Sequence, residues 1–151
     1  MKRKMARTTL GIIFFAVLVA LTPAVQAHGC AMSDVAGNYG YTSSGTIVTP
    51  PVGVFETVGH VTFSPSGSLS GAQTTSIAGN FFDETVSGTY SVNSDCTGIA
   101  TVNIYHGTTL ARTTNLNLVW VDNEKEVRAI FLTAGTVITI DAKKMSHEER
   151  D

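Results

Sequence analysis

The sequence lacks the motifs that mark several common functional classes. Its 151 residues include two cysteines, one tryptophan and four prolines, and only 15% of them are charged. It contains no glycine-rich phosphate loop, no Gly-x-Gly-x-x-Gly fingerprint and no His-Glu-x-x-His motif. The stretch GSLSG (residues 67–71) has the glycine spacing of a nucleophile elbow, but Leu69 occupies the nucleophile position. These absences leave nucleotide-binding enzymes, metalloproteases and α/β-hydrolases without support.

Only one long apolar run is present, and it lies at the N-terminus. Residues 10–21 form this run, which is shorter than the roughly 20 residues of a membrane-spanning helix. Four basic residues precede it, and Pro23 and small residues up to Ala27 follow it. This three-part pattern predicts a secretory signal peptide over residues 1–27. We therefore expect a secreted or periplasmic protein with no integral membrane span after signal removal.

Charge of one sign is also scarce after the predicted cleavage site. Removing residues 1–27 leaves 124 residues, enough for one ordinary domain, with six basic against twelve acidic residues. The formal charge falls to about −6, whereas sequence-independent binding of nucleic acid or anionic lipid requires a basic surface. We therefore expect no nucleic-acid partner, and no motif calls for a cofactor.

The two cysteines, Cys30 and Cys96, both follow the predicted cleavage site. An even number of cysteines in an exported chain predicts one disulfide. The bond would tether an N-terminal arm, residues 28–36, to the domain and stabilise the fold by about 4 kcal/mol. Free or metal-bound thiols are alternatives, and a lipidated Cys30 is another.

The histidines offer limited metal chemistry. Cleavage after Ala27 would make His28 the N-terminal residue, whose amine and imidazole together can chelate copper(II). No second histidine is placed near it, so no metal site is predicted and His28 is only a candidate copper ligand. His60 is predicted on the outer face of a strand, and His147 lies in a charged tail, residues 146–151, predicted to be flexible.

From residue 37 onward the chain consists of short segments rich in Thr, Val, Ile, Tyr and Phe. Breaks of Gly, Asn, Asp and Ser separate them, a pattern typical of β-strands and turns. The eight predicted strands span residues 37–48, 54–64, 68–78, 81–92, 97–106, 112–122, 126–133 and 136–145. Because connections of two to five residues join antiparallel neighbours, residues 37–145 are predicted to form an up-and-down meander. The longest break, residues 43–53 with Pro50-Pro51, is predicted to be a mobile rim loop.

Apolar and polar residues alternate along these segments. In the fourth, Phe82, Val86 and Tyr90 share one face, whereas Asp83 and Thr85 share the other. With no helix available to cover the apolar face, the meander is predicted to close into a small all-β antiparallel barrel. A two-sheet β-sandwich is the alternative. Four glycines permit the strand coiling that closure requires: Gly59, Gly71, Gly88 and Gly98.

The stretches GTYSVNSDCTG (residues 88–98), VWVDNEKE (119–126) and GTV (135–137) resemble a group of small exported bacterial β-barrel proteins of unknown function. The architecture is also similar to the calycin and allene-oxide-cyclase-type barrels. Gly37-Asn38-Tyr39 stands where lipocalins carry Gly-x-Trp, with tyrosine in place of tryptophan. The chain has no equivalent of the cyclases' catalytic set, so this likeness implies a barrel with a cavity and no particular reaction.

An eight-stranded barrel either fills its interior with side chains or holds one small ligand. The large residues predicted on the inner face are candidate ligand-binding residues: Phe55, Phe63, Phe82, Tyr90, Leu116, Leu118 and Trp120. Small residues such as Gly59, Ala100 and Ala129 can leave a pocket between them. A cavity above roughly 300 Å³ bounded by Phe82, Tyr90 and Trp120 would be consistent with ligand binding or catalysis, and a filled interior would leave only a packed structural module.

Glu84 and His106 are the candidate catalytic residues. Alternation places Glu84 on the apolar face, where burial would raise its pKa and suit it to acid–base chemistry. His106 ends the neighbouring strand with the same parity and could act beside it. The alternative for Glu84 is a place at the barrel rim, reaching water or paired with Arg112 or Arg128, and a strand-end histidine can simply be solvated.

The sequence thus predicts a binding protein rather than an enzyme. The expected function is an exported β-barrel that binds a small apolar or amphipathic ligand, or a partner, through the end bearing residues 43–53. One alternative is an isomerase or cyclase that uses Glu84 as acid and base. The other is a packed structural module without a ligand.

Overall fold

Eight antiparallel strands form one closed barrel in a computed structural model that describes residues 29–146. The strands are β1 (Gly37–Ile47), β2 (Gly53–Phe63), β3 (Ser68–Ile77), β4 (Asn80–Val92), β5 (Thr97–His106), β6 (Thr109–Val121), β7 (Glu126–Phe131) and β8 (Thr136–Lys144). Each strand pairs with the next, and β1 also pairs with β8. The predicted all-β up-and-down barrel is confirmed and the sandwich is not formed. The predicted signal peptide, His28 and residues 147–151 lie outside the described residues.

Short turns join the strands, and one predicted loop is wrong. In the turn between β2 and β3, Gly67 lies two residues after Pro65 and has a φ of 86°. Its amide donates to the Ser64 carbonyl over 3.0 Å. Residues 43–47 were expected to begin a long rim loop, but they continue β1 because Ser43 to Ile47 pair with both β2 and β8. The connection is therefore residues 48–52, with a cis Pro50-Pro51 bond.

Side chains alternate between the interior and solvent, as predicted. The large aromatic and aliphatic residues of the inner face are buried, and they include Phe55, Phe63, Tyr90, Leu116, Leu118 and Trp120. Phe82 is only half-buried, because it lies near the start of β4 at the edge of the barrel. Period-two burial on every strand gives the molecule one interior, so any internal site must lie between these side chains.

All four predicted glycines lie close to the backbone of a neighbouring strand, and Gly98 also lies close to a large side chain. A Cβ atom at Gly98 would lie 2.7 Å from Cζ3 of the Trp120 ring and would also overlap the Ser91 carbonyl oxygen. At Gly40, by contrast, the nearest atom would be the Met145 sulfur at 3.7 Å, an ordinary contact. The indole of Trp120 therefore lies over the bare backbone of Gly98, and this packing needs glycine.

Gly98→Ala should therefore destabilise the barrel by about 1–3 kcal/mol, because the added methyl forces Trp120 or the β4–β5 ladder to move. Urea unfolding followed by Trp120 fluorescence measures the change. Gly40→Ala is the matched control, with an expected change below about 0.5 kcal/mol. Equal effects at the two positions would refute the packing argument.

One end of the barrel is covered by the N-terminal arm. We call it the helix end; it carries α1 (Met32–Val35) and the connections 64–67, 93–96 and 122–125. The predicted disulfide is present between Cys30 and Cys96, and the Cys30 amide donates to the Ser94 carbonyl over 3.2 Å. The bond therefore holds the arm, with its single turn of helix, across the β4–β5 turn.

The side chains beneath α1 fill the helix end. Val35 and Tyr39 have no measurable exposure, and the Tyr39 hydroxyl lies 2.9 Å from the Val35 carbonyl and 2.8 Å from the Glu124 carbonyl. Burial raises the pKa of Tyr39 to about 12. Phe63 packs edge-on against Tyr39 at 5.4 Å and against Tyr90 at 4.8 Å, centroid to centroid. This end is sealed by packed aromatic rings.

Among residues 29–146, no helix is both long and apolar enough to cross a membrane.

Candidate functional site

The barrel interior contains an apolar cavity of about 70 Å³. Four of the predicted ligand-binding residues line it: Phe55, Phe63, Leu116 and Leu118. Further lining comes mainly from aliphatic side chains such as Val86, Ile104 and Val127. The cavity is smaller than the roughly 300 Å³ expected from the sequence, and Phe82, Tyr90 and Trp120 do not line it, so that expectation is wrong in both size and lining. A volume of about 70 Å³ restricts a guest to a short alkyl chain, since a cavity that holds a benzene ring is about twice as large.

Polar side chains line the cavity toward the other end of the barrel. We call it the proline-loop end; it is formed by the connections 48–52, 78–79, 107–108 and 132–135. Tyr41, Gln73, Arg112 and Thr114 are the principal polar lining residues, and all four lie in the strand halves nearer to this end or at mid-strand. The cavity is thus apolar toward the sealed helix end, whereas polar residues share its lining with Phe55 and Phe131 toward the proline-loop end.

Glu84 lies at the centre of these polar residues. Its side chain is fully buried, as its inward parity on β4 predicts. Arg112 donates to both carboxylate oxygens, from Nη1 to Oε1 over 2.5 Å and from Nη2 to Oε2 over 2.8 Å. His106 Nε2 lies 2.8 Å from Oε1. The predicted alternative of a pair with Arg112 is confirmed, but the pair is inside the barrel, not on its surface.

Three polar residues on β2 and β3 complete the environment of the carboxylate. Gln73 Nε2 donates to Glu84 Oε2 over 2.6 Å, and Thr75 Oγ1 donates to the same oxygen over 2.7 Å. Thr57 Oγ1 in turn donates to Thr75 Oγ1 over 3.0 Å, and the Tyr41 hydroxyl donates to Gln73 Oε1. The carboxylate therefore accepts five hydrogen bonds, a number that satisfies a buried anion.

The expected rise in the pKa of Glu84 is wrong. Burial alone would raise the pKa, but hydrogen bonds from Arg112, Thr75 and Gln73, together with the charge of Arg112, outweigh burial and lower it to about 2. Burial, followed by the nearby Glu84 charge, raises the pKa of Tyr41. A carboxylate held ionised in this way is poorly matched to proton transfer near neutral pH.

A β-bulge brings Arg112 and His106 to this site. The register between β5 and β6 shifts after the Ile104–Arg112 pair, so that Tyr105 faces Leu110 and Ala111 is left unpaired. The bulge keeps Arg112 directed inward and lets Leu110 face solvent. Arg112 and Leu110 are two residues apart on β6 and would normally share one face. Because of the bulge, the charged Arg112 faces the interior and the apolar Leu110 faces the exterior.

Two side chains of the polar site are partly exposed to solvent. The side chain of Arg112 is 29% exposed although it also lines the cavity, and that of His106 is 43% exposed. The imidazole stacks on Phe82, with ring centroids 5.1 Å apart and an interplanar angle of 8°. Arg112 thus lies between the cavity and the solvent at the proline-loop end.

Three predicted ligand-binding residues lie away from the cavity. Tyr90 and Trp120 belong to the aromatic packing at the helix end, where Phe63 contacts both rings. Phe82 covers His106 at the opposite end instead of lining the interior. Period-two parity identified their face correctly, but it does not specify depth along the barrel axis.

Sequence reasoning missed the polar partners of Glu84 on β3. Gln73 and Thr75 share the inner face with Leu69, so strict alternation along residues 69–77 was the available signal. Gln73 also faces Glu84 directly in the β3–β4 register. Polar residues at consecutive inward positions on adjacent strands would have pointed to a buried polar site.

In the part of the chain that the structure describes, one group of three side chains has the spacing of candidate metal ligands. Cys30, Cys96 and Glu124 place candidate ligand atoms within 4.8 Å of one another. The disulfide between Cys30 and Cys96 occupies both sulfurs. Glu84 and Arg112 are engaged with each other, and His60 faces the exterior.

The fold and site define a small closed antiparallel β-barrel with a sealed helix end and an apolar cavity that reaches a buried ion pair. No family model matches the chain, and no curated protein matches it significantly.

Proposed function

We propose that the protein is an exported binding protein that accommodates a slender apolar or amphipathic molecule inside its barrel. The observation that carries the proposal is the cavity of about 70 Å³, which is lined mainly by aliphatic and aromatic side chains and reaches the partly exposed Arg112. Apolar cavities of this kind stay dry and gain free energy when an apolar guest fills them.

The polar residues favour a ligand with a small hydrogen-bonding head. An alkyl tail would lie against Leu116, Leu118 and Val127, with the head near Arg112. Arg112 is already neutralised by Glu84, so the site offers little net charge to an ionic head. Neutral amphiphiles such as alcohols or amides therefore match it better than strongly charged ones.

Export to an oxidising compartment is part of the proposal. The signal peptide predicted over residues 1–27 and the Cys30–Cys96 disulfide both support it. Catalysis by Glu84 and His106 receives no such support, because the carboxylate is saturated with hydrogen bonds and its pKa is low.

Binding of straight-chain alcohols tests this function. The affinity should rise roughly fourfold for each added methylene until the cavity is full, because burying one methylene is worth about 0.8 kcal/mol. Isothermal titration calorimetry with alcohols of increasing length measures this dependence.

The matched variants lie on adjacent residues of β5. Ala100→Ile fills the cavity and should lower the affinity on the order of tenfold or more, whereas Thr101→Ile places the same isoleucine side chain outside the barrel and should leave the affinity unchanged. Ala129→Val provides a smaller filling change if Ala100→Ile fails to fold. A wild-type protein that binds none of these alcohols would be a packed structural module.

A further inference from the structure

The proline-loop end differs sharply in charge from the rest of the molecule. Its four connections contain no charged residue: VTPPV (residues 48–52), AG (78–79), GT (107–108) and LTAG (132–135). At the helix end, by contrast, the connection 122–125 alone carries two acidic residues and one basic residue. Apart from Arg112, which is paired inside the barrel, the basic residues from 29 to 146 are Lys125, Arg128, Lys143 and Lys144.

Large apolar side chains are exposed around this uncharged end. We define the apolar collar as Val48, Val52, Phe81, Leu110, Leu132 and Val137, each of which is more than half exposed. These residues belong to strands or connections on all sides of the barrel, so they surround the end in a ring. The phenyl ring of Phe81 projects furthest into solvent, with 76% exposure. Exposed apolar residues that are grouped at one end of a molecule, rather than scattered singly, are typical of an interaction site.

The outer face becomes polar within a short distance of the collar. Two residues further along the strands, Asp83 follows Phe81 and Thr139 follows Val137 on the same outward face. Two strand residues span about 7 Å. On β4 and β8 the apolar layer is therefore about 5–10 Å deep with polar residues behind it, the depth to which amphipathic helices enter a lipid surface, whereas exposed Val54 and Val58 continue the apolar surface along β2.

The charge of the proline-loop end indicates whether an anionic or an uncharged lipid surface suits it. Binding to anionic lipid depends on clustered Lys and Arg near the surface, and the collar has none. Asp83 and Glu56 are exposed in the band behind it and would be repelled by anionic headgroups. An uncharged end on an acidic protein is matched by a surface without net charge.

We propose that the apolar collar docks the barrel onto a zwitterionic lipid surface, with the polar end of the cavity facing the lipid. The docking follows from the exposed ring and its lack of charge, and it does not require an occupied cavity. If the ligand-binding function proposed above also holds, an apolar molecule dissolved in the lipid would enter the barrel directly from this surface.

Vesicle cosedimentation tests the docking, using protein recovered after export with its N-terminus sequenced. Phosphatidylcholine vesicles should bind the protein, raised salt should not weaken binding, and mixing in phosphatidylglycerol should weaken it. Phe81→Ser should lower the partition coefficient on the order of tenfold. Ile99→Ser, at an outward position on β5 that is 60% exposed and outside the collar, is the matched control and should have no effect.

The docking proposal is overturned if the wild-type protein does not bind phosphatidylcholine, or if Phe81→Ser and Ile99→Ser behave alike. It is also overturned if the wild-type protein forms a stable dimer that Phe81→Ser dissociates, since the collar would then be an interface between two copies. Ala100→Ile should bind vesicles as the wild type does. This variant separates failure of docking from failure of ligand binding.

Discussion

Replacing Arg112 with methionine should lower the free energy of unfolding at pH 7 by about 3–5 kcal/mol. The substitution keeps the apolar stem of the side chain but leaves the buried Glu84 carboxylate without its cationic partner. Removing one member of a buried ion pair costs more than the pair contributes, because the remaining carboxylate keeps only the hydrogen bonds from Gln73, Thr75 and His106 and has lost the charge of Arg112. Urea unfolding at pH 7 measures the loss.

A double variant separates the unpaired charge from lost packing. Glu84→Gln combined with Arg112→Met removes both charges, so it should recover at least half of the stability lost in Arg112→Met. Arg128→Met is a surface control, since Arg128 pairs with exposed Asp141 and with Glu126, and it should lower the stability far less than Arg112→Met does. If Arg112 stabilised the barrel only through packing, the double variant would be no more stable than Arg112→Met.

The pH dependence of this variant has a defined sign. In the wild type, the pKa of Glu84 falls from 4.5 when unfolded to about 2 when folded, so the stabilisation is present above pH 4.5 and lost as the pH falls toward 2. In Arg112→Met, the lowering from Arg112 is gone, and protonation of the buried carboxylate becomes favourable. The stability difference between the two proteins should therefore shrink below pH 4.5. An equal difference at pH 3 and pH 7 would contradict this assignment.

Removing the disulfide by Cys30→Ala with Cys96→Ala should cost about 4 kcal/mol, because the bond joins residues 66 positions apart and restricts the unfolded chain. The loss should be greatest locally at the helix end. Amide hydrogen exchange of Val35 and Tyr39 should accelerate more than that of Ile104, which lies in the half of the barrel nearer the proline-loop end. A loss below 1 kcal/mol, or uniform acceleration, would show that the arm is held by packing alone.

The fold was accessible from sequence because two local signals agree. Alternation along residues 80–92 identifies the inner face, and short turns such as residues 64–67 require antiparallel neighbours. Closure then follows because a single apolar face must be covered. The loop predicted over residues 43–53 was too long, since the small and polar residues of this stretch pair on both sides within the barrel.

The site was only partly accessible. Parity placed Glu84 inside, but its pKa depends on Gln73 and Arg112, which reach it through the β3–β4 register and a bulge on β6. Single-sequence patterns do not specify which inward residues lie at the same depth. For the same reason, Trp120 was assigned to the cavity although it packs at the helix end.

Methyl NMR during titration with a straight-chain alcohol tests the central claim most directly. If the ligand enters the barrel, methyl resonances of Ile104, Leu116 and Val127 should shift, because these side chains line the cavity. The methyl resonances of Ile99 and Ile130, which face outward, should remain unchanged. Shifts confined to the outward methyls, or no shifts while the alcohol is in excess, would contradict a ligand-binding interior.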